Sequence, residues 1–281
     1  MLWILLIIVC LISAFTRVFE RSAGLLAFLL MGYMVGTPNY QFNNDAFVYL
    51  NSYLSKADNF ERGYNWLTDL AATHVSYATF RLYSSITVYI LMFLVILIFT
   101  KHVSSVALFY AFAMFPFDSE QIRSGMATLF ILFGAWMLVK FQKKGVFPAL
   151  IIIICGSLFH SLALIFIALP LLWLIRKNVK NHFKLYFICI SVISFLFEIL
   201  GSSSLVPVIS DLTSKISSRT QAALNISTVY NSGSVSLKIW ITFYLITLFF
   251  VLSGYSLKLR DKNPDSYFDL FLCSMILWGV S

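Results

Sequence analysis

Arg123 is the residue of this chain whose surroundings most suggest that it binds an anion. It closely follows the polar stretch 118–121 and leads into the apolar run 126–139, so it lies at a membrane boundary if that run is a membrane helix. An arginine at that depth costs roughly 2.5 to 3.5 kcal/mol on insertion scales, and it persists where a negative group meets it. Its planar fork of donors suits a phosphate or a carboxylate. The alternative is an internal ion pair that closes a helical hairpin.

Arg123 is preceded in the same short segment by Asp118, Glu120 and Gln121. Their oxygen atoms can orient the guanidinium or accept hydrogen bonds from the hydroxyls of a ligand. We therefore take Asp118 and Gln121 as candidate substrate-binding residues.

His160 lies within the largely apolar stretch 156–163 (Gly-Ser-Leu-Phe-His-Ser-Leu-Ala). At the tip of a membrane hairpin, its imidazole can act as a base, an acid or a phosphate ligand. The alternative is a histidine that is simply hydrogen-bonded inside the core.

A second polar group lies in the segment 37–84, which is too long for a simple connector. Asp45, Tyr49 and Tyr53 are spaced four residues apart, which places them on one face of a helix. Asp58 follows, and then the sequence Glu-Arg-Gly-Tyr at 61–64, where Glu61 and Tyr64 can share a face. The alternative here is a solvated amphipathic helix without a ligand.

The composition predicts an all-α, polytopic membrane protein with a single membrane domain, 1–281. Of its 281 residues, 60% are hydrophobic and 11% charged, with a mean hydropathy of +0.87. Apolar runs near the length of a membrane span recur along the chain. The ten predicted spans are 2–15, 24–36, 85–100, 103–116, 124–139, 146–159, 161–175, 183–200, 237–257 and 267–281. We expect the first to be a retained helix, and the last to stop within its apolar run, so that the chain is incomplete at that end.

The basic residues fix an expected topology. Of the 20 Lys and Arg residues, 13 fall in alternate short loops, which should therefore face the cytoplasm. This scatter also explains the net charge of +8 without a nucleic-acid site. To keep every basic cluster inside, residues 146–175 must form two segments that meet near His160. The larger loops 37–84 and 201–236, the Arg123 turn and the His160 turn then share the outer face.

In order and spacing, these elements resemble the EpsG-type branch of the Wzy polysaccharide polymerases. The resemblance rests on Asp45 to Tyr53, on residues 61–64, on Asp118 to Arg123 and on Phe159 to Ala163, and it spans about residues 40 to 170. It implies a metal-independent and cofactor-free glycosyl transfer on the outer face of the bacterial cytoplasmic membrane. Donor and acceptor would be oligosaccharide repeat units on undecaprenyl diphosphate, with a chain-length regulator and a flippase as further partners.

The resemblance also implies roles for the candidate residues. Arg123 would hold the diphosphate leaving group. His160 would add a second diphosphate contact or take the acceptor proton. Glu61 or Asp58 would be the base, and the rings of Tyr49, Tyr53 and Tyr64 would offer faces on which sugars stack.

Three other classes of membrane protein compete with this interpretation. A secondary transporter also has about ten helices with an embedded Arg and His, but it predicts internal repeats, which we do not find. A membrane O-acyltransferase takes its acyl donor from the cytoplasm, opposite to the predicted site. An O-antigen ligase uses the same donor with a lipid-core acceptor and is the nearest alternative.

Overall fold

The computed structural model describes residues 2–40, 43–113, 115, 119–199 and 265–278, and this part of the chain is helical and contains no strand. The helices are α1 (Leu2–Thr16), α2 (Glu20–Gly36), α3 (Asn44–Ser55), α4 (Arg62–Ala72), α5 (Tyr77–Phe99), α6 (Val103–Ala113), α7 (Ile122–Phe141), α8 (Val146–Ser157), α9 (Ala168–Leu174), α10 (Arg176–Ile199) and α11 (Asp265–Trp278). Gln142–Gly145 and Ser161–Ile167 are short 3-10 segments. The all-α class is thus confirmed. The predicted loop 201–236 and the predicted span 237–257 lie outside the described residues.

Two stretches are long and apolar enough to cross a membrane, Tyr77–Phe99 with 23 residues and Ile122–Ser157 with 36 residues. A third results if the bent pair Ser161–Leu174 and Arg176–Cys189 is counted as one span. Helices α1, α6 and α8 are also apolar, but with 15, 11 and 12 residues they are shorter than the ~20 that a full span needs. These helices support a membrane protein.

The second long stretch folds back on itself. A Cβ atom added to Gly134 would lie 2.9 Å from a side-chain carbon of Ile153, whereas a continuous helix would separate the two residues by about 28 Å. Gly156 similarly approaches Phe130. Helices α7 and α8 are therefore an antiparallel hairpin, and its open end brings the turn after Ser157 back to the level at which α7 begins.

The chain divides into two compact units, of which the first comprises residues 1–140 and 147–167. Its core includes Phe28 and Met31 of α2 and Met92 of α5, all essentially inaccessible to solvent. Helices α2 and α5 approach closely because α2 presents glycine: a Cβ on Gly36 would lie 2.8 Å from the Cα atom of Leu82. Close contact through small residues is a common way to associate membrane helices.

One end of this unit joins the α1–α2 and α5–α6 connections. The buried Glu20 carboxylate lies 2.7 Å from Nδ1 of His102 and 3.1 Å from Nη1 of Arg17, and it also accepts a hydrogen bond from Ser104. Both connections are predicted to face the cytoplasm, and the structure places them together.

The second unit comprises residues 141–146 and 168–281. Arg176, at the start of α10, lies 3.5 Å from a carboxylate oxygen of Asp269 in α11 and donates to Gln142 at 3.0 Å. Its guanidinium also lies 4.9 Å from the ring centroid of Trp173. Helix α10 departs from helical dihedral angles at His182.

The predicted outer loop 37–84 contains helices α3 and α4. Helix α5 begins at Tyr77, eight residues before the predicted start of that span. Ser76 caps α5 by accepting a hydrogen bond from the backbone of Thr79. As a result Arg81 belongs to a membrane-length helix and not to a loop.

Candidate functional site

Arg123 lies in the first turn of α7 and is held by two side chains from the segment before α5. Its Nε donates to the hydroxyl of Tyr49 at 3.0 Å, and its Nη1 forms a short ion pair with Glu61. The side chains of Arg123 and Glu61 are only 13% and 12% exposed. Three segments that are distant in sequence therefore meet at one guanidinium.

Glu61 links Arg123 to the turn that contains His160. One carboxylate oxygen of Glu61 faces Arg123, while the other accepts the backbone N–H of Ser161 at 3.1 Å. Glu61 itself occupies the position just before α4 and has an extended backbone. The carboxylate thus accepts hydrogen bonds from two donors, which offset the cost of removing its charge from water.

Aromatic rings surround the guanidinium. Its Cζ atom lies 4.4 Å from the ring centroid of Phe60 and 5.3 Å from that of Tyr49. The two rings are themselves 4.8 Å apart, and each packs on Tyr64, at 5.5 and 5.8 Å. Cation–π contacts of this kind contribute about 0.5 to 2 kcal/mol, so the rings add to the fixed orientation of Arg123.

The faces of these tyrosines are occupied by protein. Tyr49, Tyr53 and Tyr64 are 3%, 6% and 1% exposed, and the hydroxyl of Tyr53 donates to the Val75 carbonyl at 2.8 Å. Burial raises the pKa of the Tyr49 hydroxyl above its ordinary value, although Arg123 acts against this. Tyr49 is therefore a neutral phenol that orients Arg123, and none of the three rings offers a face for sugar stacking in this structure.

Gly63 allows the α4 segment to reach the turn after α8. The backbone N–H groups of Gly63 and Tyr64 donate to the carbonyl oxygen of Leu158, at 2.8 and 3.3 Å. These N–H groups belong to the first turn of α4, where no intrahelical acceptor exists. A Cβ atom on Gly63 would lie 2.8 Å from that carbonyl oxygen. Glycine at this position is therefore a packing requirement.

His160 is half-buried, one residue before the amide that binds Glu61. Its Nδ1 accepts the backbone N–H of Leu162 at 3.0 Å. A ring nitrogen that accepts a hydrogen bond carries no proton, so the proton of the neutral imidazole is on Nε2. In this state Nε2 is a hydrogen-bond donor and not a base.

A comparison with models of protein families shows which family this chain belongs to. A model of the EpsG family matches residues 22–281. The chain belongs to the EpsG family. Comparisons with curated proteins and with solved structures give no match. Membership in the EpsG family supports a polysaccharide-polymerase role, and together with the apolar helices it supports a membrane protein.

Of the remaining predicted site residues of this EpsG-family chain, Asp58 and Gln121 make local hydrogen bonds. Asp45 is partly exposed in the first turn of α3, where the negative charge of its carboxylate interacts favourably with the helix dipole. Asp58 accepts a hydrogen bond from Asn65 at 3.2 Å, which fixes the loop before Glu61. Gln121 accepts from Ser124 at 3.0 Å at the start of α7. Asp118 lies outside the described residues.

Two residues near the site were missed by the sequence prediction. Phe60 carries no charge that would mark it, and only the fold places it against Arg123. Arg81 is different, because a charged residue directly before an apolar run is visible in the sequence. Extending the predicted span to Tyr77 would have identified Arg81 as an arginine inside a membrane helix.

Proposed function

We propose that this EpsG-family protein is a membrane glycosyltransferase that polymerises repeat units carried on undecaprenyl diphosphate. The reaction takes place on the outer face of the bacterial cytoplasmic membrane, in a protein with about ten membrane spans, and yields O-antigen, capsule or exopolysaccharide. The observation that carries the proposal is the preorganised Arg123 guanidinium at the end of a membrane-length helix. Membership in the EpsG family agrees with it.

Arg123 stabilises the leaving group. When the acceptor hydroxyl oxygen bonds to the anomeric carbon of the donor, the bond from that carbon to the phosphate oxygen breaks, and negative charge develops on the diphosphate. Tyr49 and Glu61 engage Nε and Nη1 of Arg123, and within the described residues Nη2 makes no hydrogen bond that would compete with the diphosphate. Donors held in advance at a site of developing charge are among the strongest catalytic devices.

Glu61 takes the proton of the acceptor hydroxyl in this scheme. Its carboxylate is paired with Arg123 before substrate arrives. A diphosphate at the guanidinium competes for that pairing, and this releases a carboxylate oxygen beside the reacting atoms. His160 donates from Nε2 to the diphosphate, which agrees with the tautomer that its contact with Leu162 requires.

A cavity of about 470 Å³ offers room for the acceptor saccharide. It opens beside Asn43, which caps α3, and beside Glu120, which precedes α7. Trp3 and Asn39 also line it. An indole, amides and a carboxylate are the groups that stack on sugars and bind their hydroxyls, and the volume is within the usual range for ligand sites.

The experiment is a gel of the surface polysaccharide from cells whose only copy of the protein carries a substitution, with the amount of membrane protein measured alongside. Arg123→Ala and Arg123→Lys should both collapse the ladder to single repeat units, because one ammonium cannot replace a planar fork. The matched control is Arg62→Ala, which removes an exposed arginine from the adjacent helix.

The ladder from Arg62→Ala should match that of the wild type. If Arg123→Lys gave a normal ladder, a bidentate contact to the diphosphate would be excluded. If Arg123→Ala also gave one, Arg123 would be a structural ion pair and the polymerase site would lie elsewhere.

A further inference from the structure

Arg81 is a second buried arginine close to the site, and its side chain is inaccessible to solvent. Its Nε donates to the carbonyl of Val35 at 2.9 Å and its Nη1 donates to the hydroxyl of Tyr77 at 3.0 Å. Its Nη2 has no hydrogen-bond partner. Buried donors are normally paired, so this one requires an explanation.

Within the part of the chain that the structure describes, no carboxylate forms an ion pair with Arg81. None of the ion pairs within the described ranges includes Arg81, and a guanidinium does not give up its proton in a protein. The Val35 carbonyl at the C-terminal end of α2 supplies only a partial negative charge. A buried cation without an ionic partner is costly unless an anion completes its surroundings.

Arg81 and Arg123 share one neighbour. The Cζ atom of Arg81 lies 5.9 Å from the ring centroid of Tyr49, and that of Arg123 lies 5.3 Å from the same centroid. Glu61 neutralises Arg123, while Asp45, one turn before Tyr49, is partly exposed. The region around Tyr49 therefore contains two buried guanidinium groups, and the nearly buried carboxylate of Glu61 pairs with only one of them.

The hydroxyl of Tyr64 is a second donor without a partner. Tyr64 is 1% exposed and its hydroxyl makes no hydrogen bond. Its ring packs on Tyr49 and on Phe80, at 5.8 and 6.4 Å. Burial raises the pKa of Tyr64 well above its ordinary value, while Arg81 and Arg123 act in the opposite direction. The hydroxyl thus remains protonated within the field of both arginines.

We propose that Arg81 Nη2 and the Tyr64 hydroxyl form a second anion-binding position, which takes phosphate oxygens of the substrate diphosphate beside Arg123. The inference rests on the proposed function and adds two substrate-binding residues to it. Because Arg81 is fully buried, the ligand reaches it only after a neighbouring side chain shifts. The anion then supplies the missing charge for Arg81 and the missing acceptor for Tyr64.

Tyr64→Phe is the variant that tests this position. Arg81→Met also removes the hydrogen bond that joins α5 to the Val35 carbonyl of α2 and the hydrogen bond to Tyr77 within α5, so a loss of folded protein is expected there. Tyr64→Phe deletes a single hydroxyl that has no partner, which should leave stability without ligand unchanged or increased. The matched control is Tyr53→Phe, because Tyr53 lies in the same aromatic cluster but its hydroxyl is bonded to Val75.

The measurement is thermal unfolding of the full chain in detergent micelles, titrated with inorganic pyrophosphate, with sulfate at equal ionic strength as background. We expect pyrophosphate to stabilise the wild type. Tyr64→Phe should bind it about tenfold more weakly, the loss of one hydrogen bond to a charged group. Tyr53→Phe should be less stable without ligand and bind pyrophosphate as the wild type does.

Equal affinity of Tyr64→Phe and the wild type would overturn the proposal. So would a wild type that pyrophosphate does not stabilise beyond the sulfate background. Neither result depends on the polysaccharide gel, which tests the proposed function through Arg123 alone, so a failure of one can be told from a failure of the other.

Discussion

Gly63 donates its backbone N–H to the carbonyl oxygen of Leu158 at 2.8 Å, and this hydrogen bond fixes the start of α4 against the turn after α8. Glu61, two residues before Gly63, adds two further contacts: it binds the Ser161 amide and also pairs with Arg123. The position of the Glu61 carboxylate relative to His160 therefore depends on close contact between two backbones.

Gly63→Ala should displace α4 and disrupt the site. The new Cβ atom would lie 2.8 Å from the Leu158 carbonyl oxygen and 2.9 Å from the Leu158 Cβ atom, and backbone atoms cannot rotate away. We expect a loss of about 1 to 3 kcal/mol in stability and a strongly shortened polysaccharide ladder. Thermal unfolding in detergent and the gel measure the two effects.

Gly125→Ala is the matched control for this substitution. The nearest atom to its added Cβ is a side-chain carbon of Val88 at 3.6 Å, an ordinary contact. Alanine should there stabilise α7 by about 0.5 to 1 kcal/mol. If the two alanine variants behaved alike, close approach to Leu158 would not be the reason for glycine at position 63.

Charge balance should couple Glu61 and Arg123. Glu61→Ala leaves the Arg123 guanidinium nearly buried without its carboxylate, and breaking such a pair costs about 3 to 5 kcal/mol. The double variant Glu61→Ala/Arg123→Ala removes both charges and should recover part of that stability. Thermal unfolding of the wild type, both single variants and the double variant measures the coupling.

Among the Glu61 and Arg123 variants, polymer formation should not change in parallel with thermal stability. Glu61→Gln keeps the size of the side chain but only one of its two acceptor oxygens, so either Arg123 or the Ser161 N–H loses its partner. We expect a smaller loss of stability than in Glu61→Ala and a ladder shortened by more than the drop in protein level explains, and the double variant should make no polymer. Strictly additive stabilities would contradict the coupling. A normal ladder from Glu61→Gln would exclude a catalytic base at this position.

The sequence was sufficient to predict local features of the site. The four-residue spacing of Asp45, Tyr49 and Tyr53 predicted a helix, and α3 confirms it with Tyr49 and Tyr53 on its buried face. The pattern could not show what that face packs against. The alternative of a solvated helix fails for these tyrosines because α4 and α5 supply aromatic rings that cover them.

Contacts between segments that are distant in the chain could not be predicted from the sequence. Nothing in residues 61–64 indicates that Gly63 meets Leu158, because the contact depends on the α7–α8 hairpin returning to the start of α7. The burial of Arg81 was missed for a related reason. Hydropathy placed the start of the span at 85, whereas the cap at Ser76 and the bonds of Arg81 to Tyr77 and Val35 extend helix α5 to Tyr77.

His160→Gln should retain some activity if His160 acts as a hydrogen-bond donor. A glutamine amide can place an N–H near the position of Nε2, but it cannot accept a proton at neutral pH. We expect reduced but measurable polymerisation in membranes for His160→Gln and none for His160→Ala. Loss of all polymer in both variants, at normal protein levels, would favour His160 as the base that removes the acceptor proton.

The predicted orientation can be tested with single cysteines and a membrane-impermeant thiol reagent. Leu162 is 40% exposed beside His160, and Lys143 is exposed in the turn between α7 and α8. In a background where Cys155 and Cys189 are replaced by serine, Leu162→Cys should be labelled in intact cells and Lys143→Cys only after the membrane is opened. The reverse pattern would place the Arg123 site on the cytoplasmic side and contradict the proposed reaction on the outer face. Because the α7–α8 hairpin fixes the two positions at opposite ends, labelling of both from the same side would contradict the hairpin itself.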